Sequence, residues 1–82
     1  MDLVLLTETI IKKIVKNTDA VSVKEFESDE ENTVLIEAMV DNEDMGRLIG
    51  KDGKVINAIR TIVQASAYIN GNKKVKLNID SF

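Results

Sequence analysis

The chain has 82 residues, of which 44% are hydrophobic and 30% charged, and this composition predicts one compact domain over residues 1–82. It contains no cysteine and no histidine, so the usual zinc sites and Ser/His or Cys/His nucleophilic sites lack their residues, and we expect neither an enzyme nor a bound cofactor or metal. No apolar run approaches the roughly 18–20 residues of a membrane span, and the acidic N-terminus does not resemble a signal peptide. We therefore expect a cytoplasmic protein with no membrane partner.

The net charge of −3 is distributed unevenly along the chain. Residues 1–44 hold four lysines and twelve acids, whereas residues 45–79 hold seven lysines and arginines and a single acid, Asp52. Charges act locally, because salt screens them beyond about 10 Å. The second half of the chain is therefore predicted to present a basic surface, although the net charge alone argues against a nucleic-acid partner.

The first predicted element is an amphipathic helix over residues 3–17. Its apolar stripe consists of Leu3, Leu6, Ile10 and Ile14. The lysines of this segment lie off the stripe and are interpreted as a solvated face. The NTD sequence at residues 17–19 is expected to stop the helix.

Two strands joined by a hairpin are predicted next, over residues 20–26 and 33–40. The second strand places its apolar side chains on one side, at Val34, Ile36, Ala38 and Val40. The intervening residues 27–32 form the expected hairpin tip. Its acids Asp29, Glu30 and Glu31 lack the ligand spacing and glycine of a calcium loop, so we interpret them as facing solvent.

Two helices and a last strand complete the predicted order α-β-β-α-α-β. A short helix lies within residues 41–50, capped by Asp41 or Asn42, and a long helix spans residues 54–70. The apolar stripe of the long helix consists of Ile56, Ile59, Val63 and Ala67, widened by Val55, Ile62 and Ile69. Residues 73–79 alternate as a half-buried strand with Val75, Leu77 and Ile79 inward. A right-handed crossover would make this strand a parallel neighbour of the second one. The predicted fold class is α+β, with a three-stranded mixed sheet covered on one face by three helices.

Three of the four glycines lie in the segment GRLIGKDG, residues 46–53. The spacing does not fit a P-loop, because three residues separate Gly46 from Gly50 and Lys51 is followed by Asp52. It does not fit the dinucleotide fingerprint either, because the loop follows a helix instead of a strand. The remaining feature is a four-residue link, Gly50 to Gly53, between two helices.

Such a link is suited to a nucleic-acid backbone. Glycines allow close approach, and the N-terminus of the following helix directs unpaired N–H groups toward a phosphate. Lys51 and Lys54 add positive charge, and Arg47 can reach the same groove. Asp52 reduces this attraction, and it has a second interpretation as the N-cap of the following helix.

The stretch LIGKDGKVI resembles the signature of KH domains, hydrophobic-Ile-Gly-x-x-Gly-x-x-Ile. With a helix and a strand preceding that core, the chain resembles a type II KH domain, and its length and ending VKLNIDSF are similar to small bacterial single-KH proteins of the KhpA type. The resemblance implies a GxxG loop that holds about four nucleotides of single-stranded RNA. The implied RNA-binding residues are Arg47, Ile49, Gly50, Lys51, Asp52, Gly53 and Lys54. For Ile49, Val55 and Ile56, packing in the core under the groove is the favoured interpretation, and a place in the apolar floor of the groove is the alternative.

The resemblance also implies a biological setting. It indicates a post-transcriptional regulator or RNA chaperone linked to cell elongation or division. Its expected partners are a second copy of the chain and a longer KH-containing protein of the Jag or EloR type. The alternative function is therefore a dimerisation module in which the same KH surface pairs with another protein and RNA binding is secondary.

Overall fold

The structure is a computed structural model that describes residues 2–82. Within these residues, three α-helices and three strands follow one another in the order α1-β1-β2-α2-α3-β3, with short 3-10 turns between some of them. Their bounds are α1 Leu3–Ile14, β1 Ser22–Glu27, β2 Thr33–Val40, α2 Met45–Ile49, α3 Lys54–Ile69 and β3 Lys74–Ser81. The predicted α+β class and element order are confirmed. Helix α1 ends before residue 17, and β3 continues past residue 79.

The sheet is mixed, with strand order β1-β2-β3. Strand β1 is antiparallel to β2, with Phe26 opposite Leu35, and β2 is parallel to β3, with Ile36 opposite Leu77. Parallel neighbours need a long crossover, which α2 and α3 supply here. The eight residues of β2 span about 26 Å. Because the acidic hairpin precedes β2 and the glycine loop comes after it, the two lie at opposite ends of the sheet.

The core lies between the helices and one face of the sheet. Strand β2 shows the expected alternation, because Ile36, Ala38 and Val40 are buried while Glu37 is exposed. The buried hydrophobic cluster consists of Ile11, Val15, Ile36, Ala38, Val40, Leu48, Ile59, Val63 and Leu77. Val34, Val75 and Ile79, predicted to face inward, are partly buried against it. No helix within residues 2–82 combines the length and apolar character needed to cross a membrane.

Two helical stripes differ from the prediction. In α1 the buried positions are Thr7 and Ile11, so the predicted stripe flanks the core instead of forming its centre. Thr7 is accommodated because its hydroxyl donates a hydrogen bond to the Leu3 carbonyl at 2.8 Å. In α3 the residues Ile62 and Ile69 remain 50% and 83% exposed, so their assignment to the buried stripe is wrong.

Candidate nucleic-acid interface

The loop between α2 and α3 requires glycine at its first position. Gly50 has φ 73° and ψ 177°, a combination that is almost restricted to glycine. A Cβ at this position would overlap Val55 Cγ2 and lie 2.9 Å from Val55 Cβ. The Gly50 N–H donates to the Gly46 carbonyl at 3.0 Å and closes α2. The chain therefore leaves α2 sharply and begins α3 only a few residues later.

The second half of the loop follows a left-handed path into α3. Asp52 has φ 57° and Gly53 has φ 76°, and Gly53 occupies the N-cap position of α3. The interpretation of Asp52 as the N-cap is therefore wrong. Because the N-cap residue is glycine, no side chain at that position bonds to the first-turn amides of α3. The N–H of Lys54 donates to the Lys51 carbonyl. The N–H groups that follow it in the first turn are those from which an anionic ligand can accept.

The side chains around the loop are basic and accessible. Arg47, Lys51 and Lys54 are all exposed, and the exposed carboxylate of Asp52 is the one acid between the two loop lysines. Ile49 is 40% exposed, so this side chain adds apolar surface beside the cations instead of core packing. The predicted site residues 47, 49–54 are thus brought together on one exposed turn, where three cations outnumber one carboxylate.

A buried carboxylate fixes the segment that leads into α2. Asp44 is only 3% exposed, and it accepts hydrogen bonds from the backbone N–H groups of Lys16 and Asn17 at 3.0 and 3.1 Å and from the Asn17 side-chain amide. Burial opposes ionisation of this group, but the three hydrogen bonds and the charge of Arg47 hold the pKa of Asp44 below its usual value. Asp44 therefore ties the end of α1 to the start of the glycine-loop segment as an ionised acceptor.

A groove runs between α3 and the free edge of β3. Its volume is about 710 Å³, within the range of ligand-binding clefts. Arg60 donates from Nε and Nη2 to the Leu77 carbonyl at 3.2 and 3.1 Å, and Gln64 bridges the N–H of Val75 and the carbonyl of Lys73 at 2.9 Å each. Tyr68, which is 51% exposed, lies on the same wall. The groove thus combines apolar surface, a guanidinium and an aromatic ring.

Sequence reasoning missed the groove residues Arg60, Gln64 and Tyr68. Their spacing of four residues places them on one side of α3, and this spacing is visible in the sequence. The sequence does not show that β3 lies beside this side of α3. That placement follows from the parallel pairing of β3 with β2, which no local pattern specifies.

Comparison with known proteins identifies the family. The sequence model described as "KhpA/KhpB, KH domain" matches residues 5–79. The chain belongs to the KhpA/KhpB KH-domain family. Relatives named RNA-binding protein KhpA occur in bacteria, at 43% identity in Caldanaerobacter subterraneus subsp. tengcongensis and 42% in Clostridium acetobutylicum. Each of these two alignments covers 90% of this chain and 95% of the relative. The KhpA of Thermotoga maritima is 36% identical over 90% of this chain and 93% of its own.

Two solved structures of the protein Era contain a region with the fold of this chain. Era in complex with MgGDPNP and nucleotides 1506–1542 of 16S ribosomal RNA superposes with a TM-score of 0.66 at 19% identity, covering 96% of this chain and 29% of that one. A variant of Aquifex aeolicus Era bound to GDP·AlF4⁻ gives a TM-score of 0.64 at 21% identity and covers 100% of this chain and 32% of that one. At this identity the likeness shows the fold alone.

Proposed function

We propose that this KH-family chain binds single-stranded RNA, without catalysing a reaction, and holds about four nucleotides at the loop Gly50-Lys51-Asp52-Gly53. The phosphates lie on the first-turn amides of α3, and Arg47, Lys51 and Lys54 provide the positive charge around them. Ile49 contacts the ribose or base beside the loop. The relatives named RNA-binding protein support the same ligand class. In this proposal the protein acts in the cytoplasm as a regulator or chaperone of RNA linked to cell elongation or division.

The observation that carries the proposal is the accessible helix N-terminus. Helix α3 is 16 residues long, and its first turn follows a glycine N-cap with no capping side chain. A phosphate at this position accepts from backbone N–H groups and gains from the helix dipole, both independent of base identity. Lys51 before the N-cap and Lys54 after it add electrostatic attraction for the phosphate. A sequence-tolerant contact with the RNA backbone is the expected result.

The groove between α3 and β3 is the proposed location of the bases. Glycine-loop contacts hold the phosphates at the start of α3, and the groove continues along the helix past Arg60 toward Tyr68. Aromatic rings stack on bases of any sequence, and guanidinium groups add favourable contacts with their faces. The groove therefore suits unpaired bases better than a duplex, whose bases are stacked inside.

The test is a charge reversal at the loop with a matched reversal elsewhere. Lys51→Asp places two adjacent carboxylates between the glycines, and Lys13→Asp makes the same charge change on the exposed face of α1. Binding of a short fluorescein-labelled RNA of randomised sequence is followed by anisotropy, and folding by circular dichroism. We expect Lys51→Asp to weaken binding at least about tenfold, the equivalent of about 1.4 kcal/mol, and Lys13→Asp to change it less than about twofold. Equal effects of the two substitutions would refute the loop as the binding site.

A second candidate function is pairing with another KH domain, favoured by an apolar face between α1 and α3. This face includes a cavity of about 560 Å³ whose lining residues are all uncharged: Leu6, Thr61, Ile62, Ala65, Ser66, Ile69 and Asn70. Leu5, the neighbour of Leu6 in α1, is 59% exposed. Uncharged apolar surface of this kind is unusual on a chain with 30% charged residues. We infer that a second copy covers it, with the KhpB-type relative of the same family as the alternative partner.

This location differs from the sequence-based alternative, which assigned pairing to the RNA-binding surface itself. A stable dimer buries about 800 Å² per partner, roughly a seventh of the 5324 Å² accessible surface of this chain. Sedimentation velocity is expected to detect a dimer that Ile62→Asp dissociates, while the charge reversal Lys13→Asp leaves it intact. A chain that sediments as a monomer at high concentration would contradict the pairing proposal without affecting the RNA proposal.

A further inference from the structure

The acidic hairpin approaches the RNA groove through one specific ion pair. Lys76 Nζ donates to Glu30 Oε1 at 2.6 Å, which joins the third residue of β3 to the tip between β1 and β2. The two side chains are 55% and 58% exposed, so solvent and ligands have access to both. Lys76 also contributes to the wall of the groove between α3 and β3. A carboxylate thus neutralises a cation at the rim of the proposed base-binding groove.

The position of the pair relates it to the path of the RNA. Leu77 is buried toward the helices, so its neighbour Lys76 projects from the open face of the sheet. Helix α3 spans about 24 Å from the glycine loop to its C-terminal end, beside which β3 begins. Arg60 bonds to the Leu77 carbonyl and Gln64 to the Val75 N–H, so Lys76 lies at the level of the groove between these two side chains, and its ammonium group leaves the β3 edge toward the open face. An RNA that starts at Gly53 and leaves the groove over the β3 edge would meet Lys76 there.

From this arrangement we propose that Glu30 occupies Lys76 as a stand-in for an RNA phosphate, so that RNA extending beyond the glycine loop must displace the hairpin carboxylate. The inference rests on the proposed RNA-binding function. It makes the β1–β2 hairpin a competitor that limits how much of the groove RNA can use. An RNA phosphate competes effectively with Glu30 for the Lys76 ammonium group once the glycine loop already holds the same strand. The contact with Lys76 is then intramolecular and gains from a high effective concentration.

Two further features fit a competing role. The pKa of Glu30 is lowered, first by its hydrogen bond with Lys76 and then by the charges of Lys76 and Lys74, so the carboxylate stays ionised at neutral pH. The neighbouring acids Asp29 and Glu31 are exposed and increase the negative potential at the same rim. Exposed ion pairs are weak, however, so RNA can displace this one without unfolding the hairpin.

The experiment neutralises Glu30 and compares it with an equal charge change at a second ion pair. Glu30→Gln removes the carboxylate charge without changing the side-chain size, and Glu8→Gln does the same in the Glu8–Lys12 pair on α1, whose separation is 2.9 Å. Anisotropy of a labelled single-stranded RNA of randomised sequence is measured over a series of salt concentrations. We expect Glu30→Gln to tighten binding about two- to fivefold and to steepen the slope of log K against log salt by about 0.7, the value for one added phosphate contact. Glu8→Gln should leave the slope unchanged.

A second variant tests whether Lys76 is the group released. In a Lys76→Gln background, Glu30→Gln should lose most of its gain and leave the salt slope unchanged, because no ammonium group becomes available at position 76. The competition is refuted if Glu30→Gln behaves like Glu8→Gln, or if its gain persists in full without Lys76. The variant Lys51→Asp separates this failure from failure of the RNA proposal. If Lys51→Asp binds RNA as the unmodified chain does, the glycine-loop site is wrong. If Lys51→Asp loses binding while Glu30→Gln has no effect, only the competition is wrong.

Discussion

Replacement of Gly50 by alanine is predicted to be the most damaging of the possible glycine-to-alanine changes in the loop segment. Two costs combine at this position. Placing a non-glycine residue at φ 73° and ψ 177° costs about 1–3 kcal/mol, and the overlap of the new Cβ with Val55 adds the overpacking cost of about 1–3 kcal/mol. The sum, about 2–6 kcal/mol, is a large share of the roughly 5–15 kcal/mol that stabilises a typical domain. Urea denaturation followed by circular dichroism measures the free energy of unfolding directly.

Two other glycines of the segment serve as controls for this prediction. Gly53 has φ 76°, but the nearest side-chain atom to a new Cβ would be 3.6 Å away, so Gly53→Ala should cost only the left-handed backbone penalty of about 1–2 kcal/mol. Gly46 lies in α2 with nothing within 4 Å of a new Cβ, so Gly46→Ala should be neutral or stabilising by up to about 1 kcal/mol. In a Val55→Ala background, Gly50→Ala should lose only the part of the overlap cost that comes from Cγ2, because the Cβ and N of residue 55 still lie 2.9 and 3.0 Å from the new Cβ, and it should retain the backbone cost. The reasoning is refuted if Gly50→Ala is no more destabilising than Gly53→Ala.

Three further predictions concern the loop, its anchor and the groove. Asp52→Asn removes the negative charge beside the proposed phosphate site, and asparagine, like aspartate, tolerates the φ of 57° at this position. RNA should therefore bind about two- to fivefold more tightly, as measured by anisotropy. Unchanged or weaker binding would count against a phosphate at the loop. Because the pKa of Asp44 is lowered in the folded state, its ionised form stabilises the fold above the unfolded value of about 4, and this contribution is lost as pH falls through the lowered pKa. Acid unfolding of Asp44→Asn should therefore depend less steeply on pH than that of the unmodified chain, and identical profiles would contradict the assignment. Tyr68→Ala should weaken RNA binding about 5- to 160-fold, in line with about 1–3 kcal/mol for stacking, while Tyr68→Phe retains the ring and most of the affinity; equal losses would exclude stacking.

The order of elements could be predicted because each element has its own local signal. The strict alternation around Leu77 and the turn residues between the first two strands are independent of distant parts of the chain. The glycine loop was also predictable, because the spacing of Gly50 and Gly53 between two helical patterns is a local feature. The structure adds the reason for glycine at position 50, the close approach of Val55, which depends on how α3 turns back over the loop.

Features that depend on distant partners were not predictable. Asp44 resembles the exposed acids around it in sequence, and its burial follows from the amides of residues 16 and 17, more than 25 positions away. Helix α1 has apolar residues on two adjacent stripes, so periodicity alone could not show that Thr7 and Ile11 form its buried centre. Periodicity also assigned Ile62 to the core. An apolar side chain on an exposed face of a helix and one that faces the core give the same spacing in the sequence.

Helix α3 explains how RNA binding and pairing can occur together. Ile59, Val63 and Ala67 face the core, while Arg60, Gln64 and Tyr68 face the groove. Ile62 and Ile69 belong to a third side of the same helix, toward α1. In the proposed dimer, a second copy on that third side would leave both glycine loops accessible, because no residue of 50–53 lines that side. If each proposed site holds about four nucleotides, two such sites would act on one RNA strand, and the second contact would gain from the high effective concentration created by the first. A domain with one small groove and a net negative charge would in this way reach a useful affinity without a larger binding surface.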